Sequence, residues 1–277
     1  MKNHHGDFTA MVENKERGPE PRALLGYPGS FQKMGLEVFE KYECDGQMEM
    51  LQMNRLYPMD NMDGMKQFPD KYFELAIIDP PYGINQSGGK NKTRNKMAAC
   101  KDYKDFYGGD KEPPKKEFFD ELFRVSKNQI IFGANHFISR IPYDSSCWIV
   151  WDKDNGANDF ADCELAWTSF NRAVRKYRFR WQGMLQEHMD NKEVRIHPTQ
   201  KPVALYEWIL ANFAKPGDKI IDTHAGSCSS LIACHRKGFE FIGFEIDEHY
   251  YSVGNNRLQE EMAQGNLFTD YRFGYTE

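Results

Sequence analysis

The last third of the chain leaves few architectures open. Pro202, at a first-helical position, opens the stretch VALYEWILANFAK, which must close before Pro216-Gly217. Residues 219–222 (KIID) then form a short apolar run ending in an acid, and small residues at 223–227 make a turn. A helical stretch reaches to about residue 237, residues 240–244 read as another strand, and a last helix spans about 248–261. Strands that are apolar throughout, without alternation, must be covered on both faces. Helices threaded between them provide that cover only in a parallel sheet, so the pattern predicts an α/β fold.

Upstream, residues 74–78 (ELAII) form the first clear strand, and Asp79-Pro80-Pro81-Tyr82-Gly83 ends it because two prolines cannot continue a ladder. Residues 83–112 are polar and glycine-rich, which predicts a long functional loop. Helical spacing follows over 117–126, and strands are expected at 129–132, 147–151 and 164–168. Residues 1–35 carry no apolar period and read as a flexible N-terminal arm, ahead of one domain over 36–277. That arm lacks the apolar stretch of a signal peptide, and no run approaches the length of a membrane helix. Six scattered cysteines without a C-x-x-C pair read as reduced thiols. The histidines have no ligand-like spacing, so no metal site is expected. A cytoplasmic protein is the expectation.

In an open parallel sheet, ligands bind beyond the carboxyl ends of the strands. Three expected strand ends carry acids there: Asp79, Asp222 and Glu245. Strand-end acids often serve only as helix caps. Asp222 is nonetheless followed by Thr223-His224-Ala225-Gly226-Ser227, small residues that let backbone approach a nucleotide-type cofactor before a helix begins. Neither G-x-G-x-x-G nor the Walker lysine pattern is present, which weakens dinucleotide and triphosphate readings. At the end of the next strand, Glu245 is placed to accept the two hydroxyls of a ribose. In Asp79-Pro80-Pro81-Tyr82, the rigid prolines leave the Asp79 carboxylate and the Pro80 carbonyl as preset acceptors, with an aromatic face beside them. Two acceptors and a stacking plane suit the exocyclic amino group of a planar base.

These residues carry a family resemblance. The chain resembles the amino-group (N6-adenine/N4-cytosine) DNA methyltransferases of the permuted β class, which use S-adenosylmethionine. DPPY at 79–82, HPTQKP at 197–202, DTHAGS at 222–227 and FEID at 244–247 carry it, over roughly residues 50–262. The resemblance implies a Rossmann-like methyltransferase fold: a mostly parallel sheet, helices on both faces, and a circularly permuted motif order. It implies a catalytic pocket of Asp79, Pro80, Pro81 and Tyr82. It also implies a cofactor site of Asp60, Asp79, Thr199, Lys201, Asp222, Gly226, Ser227 and Glu245. DPPY is more typical of adenine than of cytosine enzymes. The usual cofactor turn has Pro-Phe after its acid and a glycine two places after its first glycine; Thr223-His224 and Cys228 stand there instead.

The net charge of −5 hides two basic clusters. Lys90, Lys92, Arg94 and Lys96 lie in the 83–112 loop, and Arg172, Arg175, Lys176 and Arg178 lie within 152–196. A charge run is usually a solvated face. The family places its DNA-embracing loop and its target-recognition segment at these positions, so the resemblance makes both clusters candidates for phosphate contacts on double-stranded DNA. A homodimer, a cognate restriction endonuclease and a prokaryotic or phage origin belong to the same resemblance. The activity it implies is N6-adenine methylation of a flipped base. The alternatives are N4-cytosine methylation and a catalytically impaired DNA-binding relative.

Overall fold

A computed structural model describes residues 51–85, 110–156, 161–182 and 185–270. The chain divides into residues 1–49 and 50–277, and every described residue belongs to the second unit. The expected 1–35 arm and most of the 83–112 loop lie outside the described residues.

Among the described residues, ten strands and five α-helices follow in chain order: β1 (Arg55–Tyr57), α1 (Asn61–Met65), β2 (Phe73–Ile78), α2 (Lys116–Val125), β3 (Ser126–Phe132), β4 (Trp148–Asp152), β5 (Cys163–Thr168), β6 (Arg175–Arg178), β7 (Trp181–Gln182), β8 (Leu185–Gln186), α3 (Val203–Phe213), β9 (Lys219–Asp222), α4 (Ser229–Lys237), β10 (Glu240–Phe244) and α5 (Glu248–Asp270). Eight strands form one sheet in the order β1-β10-β9-β2-β3-β5-β4-β6, and β7 and β8 form a separate hairpin. Ladders are parallel from β1 through β3 and between β4 and β6, while β5 pairs antiparallel with both β3 and β4. Only β5 therefore runs against the rest of that sheet.

Side-chain alternation divides the core into two layers. Leu75 and Ile77 of β2, Ile130 and Phe132 of β3, and Ile220 of β9 face α3 and α4. Ala76, Ile78, Ile131 and Ile221 face α1 and α2 on the opposite side. Helix α2 buries Phe118, Phe119, Leu122 and Val125, spaced i, i+1, i+4, i+7, and the i, i+4, i+7 members were legible in its sequence. Each such side chain contributes roughly 1.5–3 kcal/mol of transfer free energy. Helix α4 stops where Gly238 takes a left-handed φ of 73° and returns its amide to Cys234 and His235.

Within the expected 152–196 recognition segment, β5 and β6 prove to be strands of the central sheet. What lies outside the sheet there is the β7–β8 hairpin and the polar stretch after it. The described cysteines Cys147, Cys163, Cys228 and Cys234 are free thiols, three of them buried. No helix among the described residues is long and apolar enough to cross a membrane.

Candidate active site

At the carboxyl end of β2 the chain leaves the sheet through Pro80 and Pro81. The Asp110 carboxylate fixes the exit, accepting the backbone amides of Tyr82 at 2.6 Å, Gly83 at 2.8 Å and Ile84 at 3.2 Å. Gly83 has φ +77°, and a Cβ there would lie 2.6 Å from Pro113 Cδ, so the turn requires glycine. The two ends of the expected DNA-facing loop are thus tied to each other directly beneath Tyr82.

Tyr82 donates its hydroxyl to Asp79 Oδ1 at 2.6 Å. Lys201, buried at 4% exposure, sits 2.5 Å from Asp79 Oδ2 and 3.2 Å from Glu164 Oε2, and donates to the Tyr82 hydroxyl at 3.1 Å. Lys153 pairs with the other Glu164 oxygen. Two acids and two lysines therefore balance within one partly desolvated cluster. Burial raises the Asp79 carboxyl above its ordinary range, with Lys201 pulling the other way. Burial likewise acts to raise Glu164, but the two lysines outweigh it and hold it at about 2. Burial disfavours the charged Lys201, yet Asp79 and Glu164 more than compensate and its pKa is raised.

The sequence reading missed Glu164. The reversed direction of β5 explains why it is here: its first residues, not its last, lie level with the carboxyl ends of β2 and β3, and Glu164 is opposite Trp151 of β4. A charged residue at the mouth of the apolar run LAWT was the available signal. Lys201, expected in the cofactor site, is found against Asp79 and Tyr82.

The second half of the site lies one and two strands away. Asp222 ends β9 at 2% exposure; it accepts the His224 amide at 2.9 Å and the Ser230 hydroxyl, and burial pushes it up to about 7. Glu245, just past β10, accepts the Gly226 amide at 2.9 Å and the Asp247 amide at 2.8 Å, and burial raises its pKa. Gly226 adopts φ +48°. Cys228 also lies in the left-handed region, at φ +61°, where a Cβ costs about 1–2 kcal/mol. Its side chain is fully buried and turned toward Gly254 of α5: a Cβ built on Gly254 would meet its Sγ at 3.0 Å. Arg257 of α5 locks this turn from behind. It donates to the Ser227 carbonyl at 2.8 Å and pairs at 2.8 Å with Glu193, which also accepts the Val203 amide at the start of α3.

A cleft of about 570 Å³ opens beside the turn, lined by Asn61, Met62, Pro81, Phe118 and His224 among others. Asn61 reaches the Thr223 carbonyl at 3.3 Å and His224 Nε2 at 3.2 Å. Its predecessor Asp60, expected in the cofactor site, caps α1 by accepting the Met62 amide at 2.8 Å. His197 packs edge-on against Tyr250 with ring centroids 4.2 Å apart, and its Nδ1 is 3.0 Å from the exposed Thr199 hydroxyl. Gln200 pins the same segment, accepting the Ile196 amide at 2.8 Å through its side chain and the Trp181 indole at 2.8 Å through its carbonyl.

Of the candidate DNA contacts, Lys90, Lys92, Arg94 and Lys96 lie outside the described residues. In the second cluster, Lys176 pairs with Asp152, Arg178 with Asp154, and Arg172 donates to the Asn212 carbonyl. Arg175 is exposed on β6, at the sheet edge.

The mostly parallel sheet thus sets Asp79, Asp222 and Glu245 at the ends of three adjacent strands, Asp79 within the rigid acid–diproline–tyrosine corner. The DNA methylase family model N6_N4_Mtase matches residues 150–256. A protein of Escherichia coli (strain K12) named "Putative methylase YubD" is 36% identical over 79% of this chain and 97% of its own. The Type II methyltransferase M.HpaI of Haemophilus parainfluenzae is 26% identical over 75% of each chain. Among solved structures, a putative DNA modification methylase of Thermus thermophilus complexed with S-adenosyl-L-methionine overlaps 75% of this chain and 94% of its own, at 19% identity and a TM-score of 0.48. The chain belongs to the S-adenosylmethionine-dependent N6/N4 amino DNA methyltransferase family.

Proposed function

We propose that the chain methylates the N6 amino group of an adenine extruded from double-stranded DNA. One observation carries this reading: Asp79, Asp222 and Glu245 stand on the adjacent, parallel ends of β2, β9 and β10. Two strand spacings, about 10 Å, span the row. The sequence tetrad DPPY favours adenine over cytosine.

The residues fit the methyl donor. Gly226 and Ser227 present backbone beside Glu245, whose oxygens keep lone pairs beyond the two amides they accept, enough for ribose hydroxyls. The adjoining cleft has Pro81, Met62 and Phe118 as apolar walls and Asn61 as a polar one, a lining suited to a purine. Asp60, as the helix cap, and Asp222, through its bonds to His224 and Ser230, shape this cavity. Thr199 is held by His197, and Lys201 stands against Asp79 and Tyr82. Bound S-adenosylmethionine supplies an electrophilic methyl group.

A base within a duplex cannot reach such a site, so it must be extruded, at a cost of a few kcal/mol of pairing and stacking. The Tyr82 ring receives the base. The free lone pairs of Asp79 and the Pro80 carbonyl accept its two amino hydrogens, fixing the amino nitrogen for in-line attack. Lys201 holds Asp79 as an acceptor while burial keeps its proton affinity above that of an ordinary aspartate. That balance lets one carboxylate first orient the amino group and then take its surplus proton. No thiol is required, and the buried Cys228 has its pKa raised by burial, away from thiolate chemistry. Arg175 and the lysines of the 83–112 loop are the assigned phosphate contacts.

Digestion and nucleoside analysis of DNA from cells expressing the chain, with modification-sensitive sequencing, tests the assignment. N6-methyladenine at one short sequence is expected. N4-methylcytosine would transfer the same pocket to the smaller base, and unmodified DNA would point to the impaired relative. Glu245→Ala should weaken S-adenosylmethionine binding by about tenfold or more, the loss of two charge-assisted hydrogen bonds. Equilibrium dialysis reads this directly, and unaltered affinity would remove Glu245 from the ribose role.

A further inference from the structure

Beyond β3, Gly133 turns the chain at φ +66° into a single 3-10 turn, Ala134–His136. A Cβ at Gly133 would lie 2.1–2.4 Å from three Tyr82 ring atoms, so the backbone there abuts the tyrosine ring and cannot carry a side chain. Three residues on, the exposed His136 ring lies nearly parallel to Tyr82, with an interplanar angle of 15° and a centroid separation of 5.4 Å. Phe137 meets Tyr82 only at a tilt of 47° and 6.5 Å. Among the described residues, His136 is thus the stacked partner of the ring that receives the base.

A base stacked between the two rings needs about 3.4 Å on each side, about 6.8 Å in all. The observed separation is too small. Tyr82 cannot retreat, because its hydroxyl is held by Asp79 and Lys201 and its ring rests on Gly133. The imidazole, exposed on a one-turn segment, is the ring that can yield.

We propose that His136 is a stand-in for the target base: it covers Tyr82 in the base-free enzyme, and the extruded base takes its place. This rests on the methyl-transfer reading and adds a displacement step to it. A base must outcompete a stack already in place, so each extrusion carries the cost of displacing the imidazole.

The test compares purified wild-type chain with His136→Ala and His136→Trp on duplex DNA bearing the sequence found by sequencing. Alanine should raise kcat/KM for DNA about two- to tenfold, the equilibrium worth of one aromatic contact, and tryptophan should lower it by a similar factor. A duplex with 2-aminopurine at the target position should brighten more with the alanine variant than with wild type. Affinity for S-adenosylmethionine should stay within about twofold in both variants. Loss of activity with alanine and its retention with tryptophan would make His136 a second wall for the base and overturn the proposal, as would three indistinguishable proteins. If wild-type chain leaves DNA unmethylated, the methyl-transfer reading itself fails; if it methylates while both variants match it, only the stand-in role falls.

Discussion

Asp79→Ala is expected to lower the rate of methyl transfer by about a thousandfold, the scale on which a preorganised polar contact to the reacting group acts. Two losses combine. The amino group loses the carboxylate that orients it, and Tyr82 loses the acceptor of its hydroxyl, 2.6 Å away, so the stacking plane is no longer fixed. Asp79→Asn keeps the shape and removes the charge; it should fall almost as far, which separates proton acceptance from simple filling of space. S-adenosylmethionine affinity should change by no more than about threefold in either variant, because Asp222 and Glu245 lie on other strands. Single-turnover transfer of a labelled methyl group, with equilibrium dialysis beside it, reads both quantities. Turnover equal to wild type would refute the catalytic assignment.

Lys201→Met is expected to cost about 3–5 kcal/mol of folding stability, as removal of one member of a buried ion cluster does. With the ammonium gone, Asp79 has no cation at 2.5 Å, and Glu164 keeps only Lys153. Methionine fills the stem volume beside Phe132, over which the ammonium sits at 4.8 Å, so the loss is electrostatic and not a cavity. Urea unfolding should show a lower midpoint with an unchanged slope. Adding Asp79→Asn should recover part of the loss, since the carboxylate left without a cation then disappears. An unchanged midpoint in the single variant would mean that the cluster does not hold the pocket together.

The parts of this fold that were legible share a physical cause. Strands β2, β9 and β10 are unbroken apolar runs with prolines, glycines or acids at their ends, and their observed bounds fall within a residue of the expected ones. Strand β1 was invisible because three residues, one of them the exposed Arg55, cannot establish a period. The direction of β5 was hidden for a different reason: an apolar run reads the same either way, and only long-range pairing reverses it. Glu164 was missed with it. Asp60 entered the cofactor site through the family resemblance; the structure shows it capping α1, while its neighbour Asn61, which carried no sequence signal, lines the cleft. The basic run at 172–178 showed its charge but not its partners, because Asp152 and Asp154 meet it across neighbouring strands.

Gly254 constrains what this lineage can become. A methyl group there would press to 2.5 Å from the Gly226 carbonyl and 3.0 Å from the Cys228 sulfur, so the last helix lies this close only while position 254 stays bare. Position 228 has the opposite freedom, since a glycine there would relax a left-handed backbone at no steric expense. The two positions are therefore opposed: a bare backbone at 228 would relieve strain and leave a small void, whereas any side chain at 254 is closed until the helix itself shifts outward.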